Sequence, residues 1–76
     1  MKRRTVWYVW WATAEENQSG THHKSKPYEN LTDAIFGAKL KENTNDFVSI
    51  DKGIEEYRDN EWRYVDMENN PERVEF

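Results

Sequence analysis

Two adjacent histidines, His22 and His23, and two adjacent glutamates, Glu55 and Glu56, are the first places in this chain to look for chemistry. A histidine pair can ligate a metal or shuttle protons, but neighbours on an extended chain point to opposite sides. No cysteine exists, and no nearby carboxylate completes a ligand set. The pair therefore reads as solvated loop residues. Paired carboxylates such as Glu15-Glu16, Glu55-Glu56 and Asp59/Glu61 suit general acid–base catalysis. In a chain with 34% charged residues such pairs arise freely, and Glu56 and Glu61 have arginines within reach. Glu55 stands apart, because alternation puts it on an apolar face beside Tyr64. The 3 glycines are scattered, so no phosphate-cradling loop is present. No Ser/His/Asp or Cys/His signature stands out either. The expectation is a protein that is not an enzyme and holds no metal or cofactor.

The elements that would position any binding surface are more telling. "TVWYVWWAT", residues 5–13, packs Val6, Trp7, Tyr8, Val9, Trp10 and Trp11 into consecutive positions. β-branched and aromatic residues in a row predict a strand that is large and apolar on both faces. Residues 15–27 carry Asn17, Ser19, Gly20 and Pro27 and read as a loop, with a short strand over 21–25 that would make a hairpin with residues 5–13. Asn30 is an N-cap candidate for a helix over 31–43. Leu31, Ala34, Ile35 and Ala38 form its core stripe, while Phe36 and Leu40 fall outside it.

Further on, Lys52-Gly53 and Asp59-Asn60 are two-residue turn candidates. Taken together they predict a meander of strands 46–51, 54–58 and 61–66. Val48 then pairs with Tyr57, Tyr57 with Trp62, and Glu55 with Tyr64. One face collects Val48, Ile50, Tyr57, Trp62 and Tyr64; the other carries Glu56, Arg58, Glu61 and Arg63, with Phe47, Ile54 and Val65. The fold class that follows is α+β: one small domain over residues 1–68, in β-α-β-β-β order. One helix packs on one face of a mostly antiparallel four-stranded sheet. A strand-helix-strand crossover would set strand 5–13 parallel to strand 46–51. Residues 69–76 read as a flexible polar tail.

One helix shields one face. By alternation it covers either Val6, Tyr8, Trp10 and Ala12, or Trp7, Val9, Trp11 and Thr13, and the other set stays on the helix-free side. A 76-residue chain without cysteine has a thin core and no covalent staple, which favours association or an aromatic-rich core; it has 4 Trp, 4 Tyr and 3 Phe. Tryptophan amid arginine is the composition of an interface core. The expected contact residues are Trp7, Trp10, Trp11, Phe47, Ile54, Arg58, Arg63 and Val65, with Phe36 and Leu40 as a second strip.

The expected function is a non-catalytic protein-interaction module that forms a homodimer or binds a protein partner through an aromatic sheet face. The alternative is a single-stranded nucleic-acid binder stacking bases on the same face, which the net charge of −4 disfavours. Small, acidic, aromatic-rich, cysteine-free chains resemble phage-encoded inhibitors in composition, although no motif carries that resemblance. It implies a modulator of a host protein. No apolar run reaches the roughly 18 residues of a membrane helix, and the expected location is cytoplasmic.

Overall fold

A computed structural model of the chain describes residues 2–65, 72–74 and 76. The first strand, β1 (Arg3–Ala12), runs antiparallel along nearly the whole of β3 (Phe47–Arg58), from Arg3↔Glu56 to Ala12↔Phe47. Between them come α1 (Ala14–Ser19), β2 (His23–Lys24) and α2 (Leu31–Glu42); β4 (Glu61–Tyr64) and β5 (Glu72–Val74) follow. The strand order is β2-β1-β3-β4, with β5 also paired to β3. Every pairing is antiparallel. This is an α+β fold with one main helix on one face of a curled sheet.

The 15–27 segment holds the expected short strand, β2, in a hairpin with β1, but opens with a helix, α1, where a loop was expected. Thr13 caps α1 reciprocally: its hydroxyl accepts from the Glu16 N–H (3.2 Å) while the Glu16 carboxylate accepts from the Thr13 N–H (3.0 Å). Gly20, at φ 80°, ends the helix in the left-handed region that glycine adopts without steric cost. The chain then returns along the free edge of β1, pairing Trp11 with His23 and Trp10 with Lys24. Ser25 continues the ladder with its hydroxyl, which accepts from the Val9 N–H at 2.9 Å, and Tyr28 exchanges two backbone bonds with Trp7. Pro27 is tolerated because this is an edge.

The largest correction concerns Lys52-Gly53. No hairpin forms there; residues 47–51 and 54–58 belong to one continuous strand, β3. A two-residue hairpin of the favoured type needs positive φ at its central residues, and neither position has it. The ten-residue β1 offers partners through this region, Trp7↔Lys52 and Val6↔Gly53, which a turn would forfeit. Gly53 instead permits close approach: a Cβ there would lie 2.8 Å from Tyr64 Cε2 and 3.4 Å from Tyr8 Cε2. The expected parallel crossover is also replaced: the chain runs back along β1 through residues 23–28 before α2 begins, so β3 enters antiparallel to β1. The expected common face also splits, because Val48 and Ile50 now have opposite parity to Tyr57.

Asp59-Asn60 does make its turn, with φ of 51° and 65°, and the expected register holds, including Tyr57↔Trp62 and Glu55↔Tyr64. β5 lies in line with β4 along the same edge of β3, opposite Ile50 to Lys52. Residues 72–74 of the expected mobile tail are therefore a strand. Residues 66 and 69–71, and residue 75, to which a strand end and a tail were assigned, lie outside the described residues.

α2 is capped by Asn30, whose side chain accepts from the Thr32 N–H at 2.8 Å. Ala34 and Ala38 are fully buried against Val9 and Ile50, with Trp7, Trp11, Tyr28, Ile35, Val48 and Val74 packed around them. The inward set of β1 on the helix side is thus Trp7, Val9 and Trp11. Small alanines let the helix sit low on the sheet. At Gly37 the Tyr28 ring comes so close that a Cβ would stand 2.7 Å from its hydroxyl.

Candidate functional site

The helix-free face of the sheet carries Arg4, Val6, Tyr8, Trp10 and Ala12 from β1, the odd-numbered residues Phe47 to Tyr57 of β3, and Trp62 and Tyr64 of β4. Val6, Tyr8 and Ala12 are buried there. α1 packs on β1 at the Ala12 end. Toward the other end the side chains cover the sheet themselves. Tyr8 meets Tyr64 edge to face at 5.7 Å between centroids, and Trp62 meets Tyr57 at 5.4 Å.

Cations lie on these rings. The Arg4 guanidinium sits 4.2 Å from the Trp62 ring centroid, and the Lys24 ammonium 4.8 Å from that of Tyr8 and 5.5 Å from that of Trp10. Arg4 also grips the buried Glu55 carboxylate through Nε (2.8 Å) and Nη2 (2.7 Å) and pairs with Glu29. The Tyr8 hydroxyl donates to the other Glu55 oxygen at 3.3 Å. Burial first, and the Glu55 charge second, push the Tyr8 hydroxyl up to about 12. On the opposite side of β3, Glu56 is held by Arg3 (2.6 Å) and Arg58 (2.9 Å). The two glutamates that first suggested catalysis are therefore bound by arginines on opposite faces of one strand.

Two hollows open on the helix-free face. One, of about 370 Å³, lies at the α1 end, where Trp10, Ala12, Phe47 and Ser49 of that face line it with Asn17, His22 and Asp46, and with Trp11 and Val48, whose parity is that of the α2 side. The other, of about 130 Å³, lies beside it and includes Tyr8, Trp10, Lys24 and Tyr64. Trp10 lines both and so divides them. On the same face, Phe47, Tyr57 and Tyr64 are 50%, 40% and 43% exposed.

The histidines are split, as their adjacency dictates. His23 pairs with Glu16 and stacks on Trp11 at 5.8 Å, while His22 lies 3.1 Å from the Asn17 amide oxygen. Glu16 is held below the usual carboxylate range, chiefly by the Thr13 N–H and then by His23. No group of three or more His, Cys, Asp or Glu fit to hold a metal occurs among the described residues.

The ten contact residues expected from sequence fall on different surfaces. Trp10 and Phe47 are on the helix-free face. Trp7 and Trp11 are on the α2 side, half-buried, with Lys41 lying 4.1 Å above the Trp11 ring. Ile54, Arg58, Arg63 and Val65 have the same parity as the α2 side; Val65 donates its N–H to the Ile54 carbonyl (2.9 Å), and Arg63 pairs with Glu61 (2.8 Å). Phe36 and Leu40 project from the outside of α2, 68% and 56% exposed. Sequence reasoning placed Tyr57, Trp62 and Tyr64 in the core and left Arg4, Lys24 and Asp46 out of the contact surface. Reading β3 as uninterrupted would have moved the three aromatics beside Trp10.

Compared with known proteins, the chain matches no family, no curated protein and no solved structure at a significant level. No helix among the described residues is long and apolar enough to cross a membrane.

Proposed function

We propose that this chain is a small, non-catalytic protein-interaction module that binds a protein partner through the helix-free face of its sheet. One observation supports this reading above the rest: five aromatic rings, three of them at least 40% exposed, gather on a face that no second main helix covers. Phe47, Trp10, Tyr64, Tyr57 and Trp62 run from one end of that face to the other. Large rings with stacked cations are the residue types that dominate interface cores. Glu55 and Glu56 are held in ion pairs, which suits binding better than proton transfer.

Capture from the source cell extract tests the reading. Beads carrying the chain should retain a protein that beads carrying Phe47→Ser/Tyr57→Ser do not. Both side chains are at least 40% exposed, so the variant keeps its core. Identical retention by the two would refute the assignment.

Self-association is a second reading, supported by the outer edge of β4. Val65 donates to Ile54, so residues of odd number in β4 face β3, and the backbone groups of Trp62 and Tyr64 point outward. A second copy could pair there. Sedimentation from micromolar to near-millimolar concentration tests it; a monomer throughout removes it. Base stacking is the weaker use of the face, because Arg4 already covers Trp62 and is paired with two glutamates. A Trp-quenching titration with oligonucleotides that is salt-sensitive at micromolar levels would reverse that order.

A further inference from the structure

We infer that the 370 Å³ hollow at the α1 end of the helix-free face seats an arginine side chain of the protein partner. The inference rests on the reading of that face as a protein-binding surface and adds the chemistry of what it takes. The volume falls in the roughly 300–1,000 Å³ range of ligand pockets.

The lining supplies the two things a guanidinium needs. The first is aromatic surface. Trp10 forms one wall, and Phe47, half exposed at the mouth, another. A planar cation gains from lying on such rings. Lys24 does not compete for this space, since it lines the smaller hollow beyond Trp10. The second is a carboxylate. Asp46 Oδ2 accepts the Ala14 N–H at 2.6 Å, which fixes the side chain at the start of α1. Among the described residues Oδ1 accepts no hydrogen bond and joins no ion pair, so it is available to a donor. No lysine or arginine is among the lining residues. The other polar side chains there are Asn17, His22 and Ser49; Asn17 and His22 already contact each other at 3.1 Å. The net charge of −4 adds a weak long-range pull on a cation. Arginine fits better than lysine because its flat fork can stack and hydrogen-bond at once.

The test uses the whole chain, labelled with ¹⁵N, and two probes: N-acetyl-L-arginine N-methylamide and its uncharged citrulline counterpart. The arginine probe should bind weakly, in the millimolar range expected of one side chain. It should shift the Trp10 indole and the amides of Asn17, Asp46 and Ser49 selectively, and the citrulline probe should bind at least about tenfold more weakly. Asp46→Asn keeps an oxygen to accept from Ala14, so the fold is retained while the charge is lost; it should weaken the arginine probe about tenfold. Phe47→Leu should weaken it about threefold. Equal shifts from both probes, unchanged binding to Asp46→Asn, or shifts scattered away from the hollow would each overturn the inference. Those results would leave the wider reading intact if the capture experiment still depended on Phe47 and Tyr57. Loss of that dependence sinks the wider reading by itself.

Discussion

Raising the pH should weaken the fold through Tyr8, by an amount the structure sets. The Tyr8 hydroxyl is buried against Glu55 and ionises at about 12, compared with an ordinary value of 10.0. The unfolded chain therefore releases this proton first. The stabilisation is fully present below pH 10 and is lost as the pH climbs from 10 through 12. A gap of about 2 pH units is worth about 3 kcal/mol. A chain of this length has about 4–11 kcal/mol in all, so the loss is a large share. Tyr8→Phe isolates it, because every other group titrating in that range is common to both proteins. At pH 8 the variant lacks the 3.3 Å hydrogen bond to Glu55 and should be about 1 kcal/mol less stable, with Arg4 still holding the carboxylate. By pH 12, where the folded-state hydroxyl is half ionised and about 2 kcal/mol has been lost, the order should be inverted, with the variant ahead by about 1 kcal/mol. Urea unfolding at half-unit pH steps, followed by circular dichroism, gives the two curves. Curves that stay parallel from pH 8 to 12 would refute the claim that burial and Glu55 hold this hydroxyl neutral.

Other expectations follow from the same geometry. Ile50 is fully buried between β1 and the two helix alanines; those alanines have no atoms to fill a void, so Ile50→Ala should cost about 4 kcal/mol and Ile50→Val about 1, read from thermal midpoints. Asn60 has φ 65°, so Asn60→Gly should stabilise by about 0.5 kcal/mol and Asn60→Ala should destabilise by about 1 in chemical denaturation. Phe36→Ser/Leu40→Ser, on the outer surface of α2, should change stability by under about 0.5 kcal/mol and leave partner capture as it was. Loss of capture there would move the contact surface to the helix.

Local signals in the sequence were the readable ones. The Asn30 cap, the Ala34/Ala38 stripe and the Asp59-Asn60 turn each depend on a few neighbouring residues, and each stands in the structure. Lys52-Gly53 carries a similar local signal and does not turn, because its conformation is decided by a strand more than 40 residues earlier in the chain. That one difference moved Tyr57, Trp62 and Tyr64 to the other side of the sheet and with them most of the candidate site. Arg4, foreseen only as a phosphate contact of the nucleic-acid alternative, was missing from the expected protein-contact residues for the same reason: its partner Glu55 is 51 positions away. Even where the register was foreseen, the ion pairs were not. Glu56 faces Arg63 across the hairpin but binds Arg3 and Arg58.

The Arg3-Arg4 doublet set against Glu55-Glu56 has a consequence for biosynthesis. The tryptophan-bearing strand leaves the ribosome well before the segment that completes it, and the residues that lock its alignment come later still. Until then a nascent chain exposes three indoles beside an unsatisfied backbone edge, a target for chaperones or for other unfinished copies. Once the late segment arrives, two like charges must meet two opposite ones, and a sideways slip of two places would set Arg3 against Arg58 or leave both arginines facing uncharged residues. A slipped pairing therefore forfeits both ion pairs.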